Sequence, residues 1–263
     1  MLEKYETLLE NIRQYDRKVG VCLSGGSDSA LVLCAAAEAL GTDNVVAITA
    51  DTAFITGEEM DASNELASKL GIWHLKPRVF LLHDERIMRN DANRCLYCKQ
   101  MLLTELSKAA EESHINLLLD GAHSSNIPVS STSKCGDVTI ASPLRDANIT
   151  KPEIFEILRS IGMKDFIRPE SACLAARIAP GEPITIKKLR WLRAAENYIS
   201  RLGFDLVRVR VKGMDASVEV IKEDVPRLLE YESEIVDELK DMGYEHVTID
   251  PEGYKKLSKC IGD

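Results

Sequence analysis

The stretch Val19-Gly20-Val21-Cys22-Leu23-Ser24-Gly25-Gly26-Ser27-Asp28-Ser29 decides the reading of this chain. An apolar run, Val19 to Leu23, leads into Ser24–Ser29, and a helix-like run, Ala30 to Leu40, follows. Strand, glycine-rich turn and helix together make an anion site. Successive backbone N–H groups point into the turn, and the helix N-terminus adds positive potential. Gly25 and Gly26 let the backbone approach a phosphate with no Cβ in the way. The serine hydroxyls offer further donors, and Asp28 offers a carboxylate for a divalent metal or its water.

Two other phosphate loops are excluded. No Gly-x-x-x-x-Gly-Lys-Ser/Thr run occurs, and no Gly-x-Gly-x-x-Gly run occurs. The run as it stands resembles the PP-loop of the ATP pyrophosphatases, which split ATP between its α- and β-phosphates. That resemblance makes Ser24, Gly25, Gly26, Ser27, Asp28 and Ser29 the expected ATP contacts, with magnesium as the companion ion.

The 263 residues allow one large or two modest domains, and 45% hydrophobic with 29% charged residues is ordinary for a globular protein. A net charge of −9 disfavours a broad grip on nucleic acid. Between Lys187 and Lys212, however, eight Lys/Arg stand against two acids, Glu196 and Asp205. Such a local patch suits a small anionic ligand; a solvated helix face is the alternative for its helical part. Leu2 to Gln14 reads as an amphipathic helix rather than a signal peptide, and no apolar run reaches membrane-spanning length. A cytoplasmic protein is the expectation, and its seven cysteines then read as thiols or metal ligands rather than disulfides.

Short apolar strands at Val45–Thr49, Ile72–Leu75 and Leu117–Asp120 alternate with helices at Gly57–Leu70 and Lys99–Ser113. That alternation predicts an α/β fold with a parallel sheet flanked by helices. Ligands bind beyond the C-terminal strand ends of such sheets, so Ala50 and the Asp120-Gly121 turn join the Ser24 loop at one edge. Ala122–Val138 reads as a loop. Thr150-Lys151-Pro152-Glu153 is a capping box that starts a helix running to about Ile161. The irregular stretch Arg168–Pro183 marks a junction. It divides a domain over residues 1–180 from a smaller α+β domain over 181–263, with helices at Ile186–Leu202 and Tyr231–Met242. That domain's strands are expected at Leu206–Val211, Ser217–Val220 and Val247–Ile249.

Cys95 and Cys98 form Cys-x-x-Cys at a helix start, and Cys173 lies far downstream. Two thiolates three residues apart, joined by a third, suit zinc or an iron–sulfur cluster. Redox chemistry at Cys-x-x-Cys, or a closed zinc site completed by Cys135 or a histidine, are the alternatives. Cys22 and Cys34 read as buried small hydrophobes, Cys260 carries no signal, and His123 reads as a loop residue.

Over nearly its full length the chain resembles the LarE family of ATP-dependent sulfur transferases. The likeness rests on the Ser24–Ser29 loop, Ala50-Asp51, Asp120-Gly121, Ser142-Pro143-Leu144 and Ala172-Cys173-Leu174-Ala175-Ala176-Arg177. It continues through Pro180-Gly181, Ile184-Thr185, Glu196, Leu202-Gly203-Phe204, Val207-Arg208-Val209-Arg210, Glu219 and Val247–Asp250. The family makes a precursor of a nickel-pincer nucleotide cofactor from pyridinium-3,5-biscarboxylic acid mononucleotide. The resemblance implies that a substrate carboxylate attacks the α-phosphate of ATP, and that sulfur then displaces AMP. It implies catalytic roles for Asp28, Lys99, Cys173 and Arg177. It implies substrate contacts at Arg208 and Arg210, with Glu196 and Glu219 orienting them. The added Cys95 and Cys98 resemble a three-cysteine subgroup in which Cys95, Cys98 and Cys173 hold a 4Fe–4S cluster. The open iron would carry hydrosulfide from a sulfide donor. A homo-oligomer is also implied.

Two departures bear on the substrate. Ala122-His123-Ser124-Ser125-Asn126-Ile127-Pro128 replaces the family's acidic, Tyr-Arg-Pro-Gly-containing loop, and the chain stops soon after Gly253-Tyr254. Two rival functions remain open on sequence: a PP-loop tRNA thiolase, and an ATP-dependent amide synthetase with structural zinc.

Overall fold

The structure, a computed structural model, describes residues 2–125, 132–168 and 172–254. Asn126, Ile127, Pro128, Ser171 and Cys260 of the sequence reading lie outside the described residues. In chain order the elements are α1 (Leu2–Arg13), β1 (Val19–Cys22), α2 (Ser27–Leu40), β2 (Val45–Ile48), α3 (Gly57–Leu70) and β3 (Trp73–Leu75). Then come α4 (Glu85–Met88), α5 (Arg94–Glu112), β4 (Leu117–Leu119), β5 (Thr132–Cys135), β6 (Val138–Ala141), α6 (Pro143–Asp146) and α7 (Lys151–Ser160). The chain ends in α8 (Ile186–Arg201), β7 (Val207–Lys212), β8 (Asp215–Val220), α9 (Val225–Leu229), α10 (Glu232–Asp241) and β9 (His246–Ile249).

The elements group into two compact units. One comprises residues 2–79 with 99–168, and the other residues 80–98 with 172–254. A single cut between residues 180 and 181 therefore misses that the Cys-x-x-Cys segment belongs with the C-terminal part. Its own hydrogen bonds explain the grouping. Asn90 Nδ2 donates to the carbonyls of Ile178 (3.3 Å) and Ala179 (2.9 Å), and Gly181 N donates to Asn90 O (2.9 Å). Periodicity could not reveal such side-chain ties.

In the first unit the sheet order is β3-β2-β1-β4-β6-β5, parallel throughout except for β5 against β6. The expected α/β architecture is what forms. Strands buried on both faces read as continuous apolar runs, and successive residues serve different layers. Val19, Val21, Ala47, Leu117 and Leu119 pack with α1, α2, α3 and α7. Val46, Ile48, Leu118 and Ile140 pack with Leu106 and Ala110 of α5. Gly20 leaves room for the side chains packed on β1, since a Cβ there would sit 2.6 Å from Leu118 Cδ2. α3 ends at Gly71 with φ 66°, and α7 starts in the Thr150/Glu153 capping box, both as read.

The stretch read as a loop over 122–138 holds strand β5 instead, antiparallel to β6 across the two-residue turn Gly136-Asp137. Thr132–Cys135 is a polar edge strand without alternation, so only its turn residues signalled it. α5 starts at Arg94 rather than Lys99, which puts the whole Cys-x-x-Cys inside its first turns. In the second unit β7 pairs antiparallel with β8, and β8 parallel with β9. α8 packs on β7 and α10 on β9. Among the described residues no helix is long and apolar enough to cross a membrane.

Candidate functional site

The phosphate loop lies in the first unit, after β1 and before α2. Gly25 takes φ 79°, and a Cβ there would meet Glu59 Cα at 2.8 Å, so glycine is required by both conformation and space. The loop is braced by its own hydroxyls. Ser29 Oγ accepts from Ser24 N (3.1 Å) and donates to Gly26 O (3.0 Å), and it lies 3.1 Å from Ser24 Oγ. Ser27 Oγ donates to Arg168 O (3.1 Å) and accepts from Arg168 N (2.8 Å). The hydroxyls of Ser24, Ser27 and Ser29, read as further donors, are thus engaged with the protein. The open donors are backbone: the N–H groups of Gly25, Ser27 and Asp28 meet no acceptor among the described residues. Gly121 packs against the start of α2, since a Cβ there would lie 3.0 Å from Ser29 N and 3.2 Å from Asp28 Cβ. Ala50 follows β2 at the same C-terminal strand edge, because β1 and β2 pair in parallel with Cys22 opposite Ile48.

Asp28 stands in the first turn of α2, where its Oδ1 forms an ion pair with Lys151 Nζ. His123 Nε2 lies 3.9 Å from Asp28 Oδ2. His123 is 4% exposed, and its Nδ1 accepts from Ser125 N (3.2 Å), which leaves Nε2 to carry the proton facing Asp28. The sequence reading took Lys151 only as part of a capping box and His123 as a loop residue. Both stand at the Asp28 carboxylate. Cys22 and Cys34 flank the loop as inert thiols, each pushed up to about 12 by burial, with Asp120 adding to the effect at Cys22. Lys99 is exposed and has no partner among the described residues.

The three cysteines come together in the second unit. Cys95 and Cys98 lie one turn apart on α5, and Cys173 caps the 3-10 turn Leu174–Arg177. Burial pushes the Cys98 thiol up to about 12, the nearby Cys173 and Cys95 add to that, and Arg94 opposes it. Cys173 is also raised, chiefly by burial, while Arg94, the Ala176 N–H and Arg177 act to lower it. The sulfurs are thus mutual electrostatic neighbours. Among the described residues, no three His, Cys, Asp or Glu side chains are gathered tightly enough to hold one metal ion.

Arginines fix the Cys173 loop by taking its backbone carbonyls. Buried Arg94 donates from Nη1 to Asn90 Oδ1 (2.5 Å) and Ala175 O (3.1 Å), and from Nη2 to Cys95 Sγ (3.5 Å). Arg177, 1% exposed, donates from Nη1 to Ala172 O and to Cys173 O (3.0 Å). Its Nε and Nη2 meet the two oxygens of Glu196 at 3.0 and 3.3 Å, and Glu196 Oε1 also accepts from Val209 N (3.0 Å). Glu196 thus orients an arginine, Arg177, and is itself held by the Val209 N–H. Four of the five guanidinium hydrogens are spent inside the protein, and the pair shapes the Cys173 turn. Arg210 meets both oxygens of Glu219 at 3.2 Å from Nε and Ala176 O at 3.2 Å from Nη1. Arg208 is buried, donates to Val207 O (2.7 Å), and has its guanidinium 5.8 Å from the Tyr254 ring. Arg94 and Asn90 escaped the sequence reading. The one available signal was an arginine directly before Cys-x-x-Cys.

A parallel sheet whose first strand feeds a Ser-Gly-Gly-Ser-Asp-Ser loop, with open N–H groups at a helix start, defines a PP-loop nucleotide-binding protein. Residues 7–124 match the asparagine synthase family model. The chain is 32% identical to the uncharacterized protein slr1717 of Synechocystis sp. across 97% of this chain and 98% of that one. It is 28% identical to the pyridinium-3,5-bisthiocarboxylic acid mononucleotide synthase of Lactiplantibacillus plantarum, across 96% of this chain and 92% of that one. A shorter likeness, 37% identity over 27% of this chain and 13% of the other, links it to a glutamine-dependent NAD(+) synthetase of Thermotoga maritima. The chain belongs to the LarE family of PP-loop proteins, and it is an enzyme that uses ATP.

Proposed function

We propose that this enzyme transfers sulfur to a carboxylate of a pyridinium biscarboxylate mononucleotide. In the first step a carboxylate oxygen attacks the α-phosphorus of ATP, the bond to the bridging oxygen breaks, and pyrophosphate leaves. In the second, a sulfur nucleophile attacks the acyl carbon, and AMP leaves with the electron pair of the broken C–O bond. The open N–H groups of Gly25, Ser27 and Asp28 bind phosphate oxygens, and Asp28 is the candidate magnesium carboxylate, with Lys151 as its present counter-charge. Arg208 and Arg210 are the candidate anchors for the anionic substrate.

The observation that carries the sulfur assignment is the meeting of Cys95, Cys98 and Cys173 in one unit of a PP-loop chain. These residues fit a 4Fe–4S cluster. The cysteines of a cluster stand farther apart than ligands of a single ion, and two of these thiols are held protonated by burial unless a metal takes them. A bound cluster would supply an iron without a protein ligand, where external sulfide is held for transfer. The protein's part is to set the three sulfurs through Arg94, Asn90 and Arg177.

The test is an anaerobic assay with ATP, magnesium, sulfide and pyridinium-3,5-biscarboxylic acid mononucleotide, read by mass spectrometry. Replacement of oxygen by sulfur with one AMP per sulfur supports the proposal, and Cys173→Ala should abolish it. Zinc in place of iron, with AMP formed only when ammonia is present, would replace this reading with amide synthesis. Salt-sensitive tRNA binding would favour the thiolase.

A further inference from the structure

Arg168 was read only as the start of a junction, yet it is rooted on the phosphate cradle. Its N–H and C=O form a reciprocal pair of bonds with the Ser27 hydroxyl, at 2.8 and 3.1 Å. Ser27 is the first residue of α2 and is 1% exposed. The segment before Arg168 is fixed as well. Phe166 is 3% exposed in the core beneath α2, with Lys69 Nζ 5.4 Å from its ring, and Ile167 packs on the same core. The arginine thus springs from a rigid base beside the open N–H groups of Ser27 and Asp28.

Its side-chain donors meet no acceptor among the described residues, and Arg168 Nε is buried with no hydrogen-bond partner. A buried N–H of a permanent cation without an acceptor is costly, and such groups are rare unless a ligand supplies the acceptor. The neighbouring donors attract the same kind of ligand, since the start of a 14-residue helix favours anions. An anion seated on the Ser27 and Asp28 N–H groups lies within the span of one arginine side chain from Arg168 Cα. Guanidinium bridges two oxygens of a phosphate in a fixed fork.

We propose that Arg168 is a phosphate-binding residue of the ATP site, which clamps the nucleotide's phosphates against the N-terminus of α2. The contact depends on the ATP site alone and stands whether or not sulfur is the group transferred.

The test is calorimetric titration of the full chain with Mg-ATP and with adenosine, for wild type, Arg168→Gln and Arg168→Ala, beside their melting temperatures. Loss of a charge-assisted bidentate contact should weaken ATP by at least about tenfold. Adenosine affinity should not change, and melting temperatures without nucleotide should hold or rise, because an orphaned donor has been removed. The Ser27 bonds are to backbone and survive either substitution. Arg168→Lys, which keeps the charge, should recover part of the loss. Unchanged ATP affinity would overturn the proposal, as would equal losses for ATP and adenosine. A lowered melting temperature in both neutral variants would assign the residue to the fold and also overturn it.

Discussion

Glu196→Ala separates a structural carboxylate from a substrate-binding one. The Glu196 side chain is 10% exposed and its partner Arg177 is fully covered. Deleting the carboxylate strands Arg177 Nε and Nη2 and orphans the Val209 N–H. Removing one partner of a buried ion pair costs about 3–5 kcal/mol, and a buried N–H without an acceptor about 1–3 kcal/mol. Arg177 Nε and Val209 N share one oxygen, Oε1, so the losses overlap, and about 4 kcal/mol is the expectation. That is a large share of a typical domain stability of about 5–15 kcal/mol. The assay is urea unfolding followed by tryptophan fluorescence in a Trp73→Phe background, which leaves Trp191 on α8 to report the second unit. The midpoint should fall by more than about 1 M. A double change, Arg177→Met with Glu196→Leu, should recover most of the stability, because a buried pair replaced by apolar groups is often neutral. It should not recover activity, since the carbonyls of Ala172 and Cys173 lose their donor. A loss below about 1 kcal/mol in Glu196→Ala, with a raised substrate KM, would refute the reasoning and return Glu196 to the substrate.

Gly25→Ala should cost about 1–3 kcal/mol and abolish ATP binding, because φ 79° and the Glu59 backbone leave no room for a Cβ; unchanged calorimetric affinity would contradict this. Burial holds His74 down to about 4, against its ordinary 6.5. The folded state therefore binds fewer protons than the unfolded state between those values. This contribution is complete above about pH 6.5 and is lost as pH falls toward 4, on the order of 1–2 kcal/mol for a half-buried ring. His74→Gln should flatten that part of the stability–pH curve, and a slope equal to wild type would exclude the assignment. Brief alkylation of the native protein at neutral pH should leave Cys22 and Cys34 unmodified, since burial pushes both thiols up to about 12. Peptide mapping that finds either labelled before unfolding would show the burial to be wrong.

The parallel sheet was legible because each buried strand carries an unbroken apolar run and each helix a start or stop signal. Gly71 and the Thr150 capping box are local chemistry, and local chemistry survives folding unchanged. The phosphate loop was legible because glycine at residue 25 and a helix start leave few other uses for such a run. What stayed hidden depends on contacts between distant residues. Asn90 gives no signal in sequence, yet its amide ties residues 80–98 to 178–179. Lys151 looks like any first-turn residue until the fold sets it against Asp28, 123 positions away. Arg177 stands in a recognisable motif, and only the fold shows where its hydrogens go.

The interior of the second unit is built at a cost that packing alone does not require. Among the described residues Arg94, Arg177, Arg208, Glu196 and Glu219 are all buried there, whereas the first unit buries no Arg, Lys, Asp or Glu among its described residues. A small α+β unit seeking stability alone would do as well with apolar residues in those places. Adding the partly covered Arg210, four guanidiniums stand against two carboxylates, which pair with Arg177 and Arg210. Three of the four donate to the carbonyls of residues 172–176. Their dipoles absorb part of the excess but carry no net charge, so this buried group keeps more guanidiniums than carboxylates. Thiolates or an anionic substrate balance that surplus, whereas neutral thiols leave it unmet. The buried arginines thus do two things with one set of bonds. They hold the irregular Cys173 turn, and Arg94 and Arg177 act to lower its thiol against the larger upward push of burial.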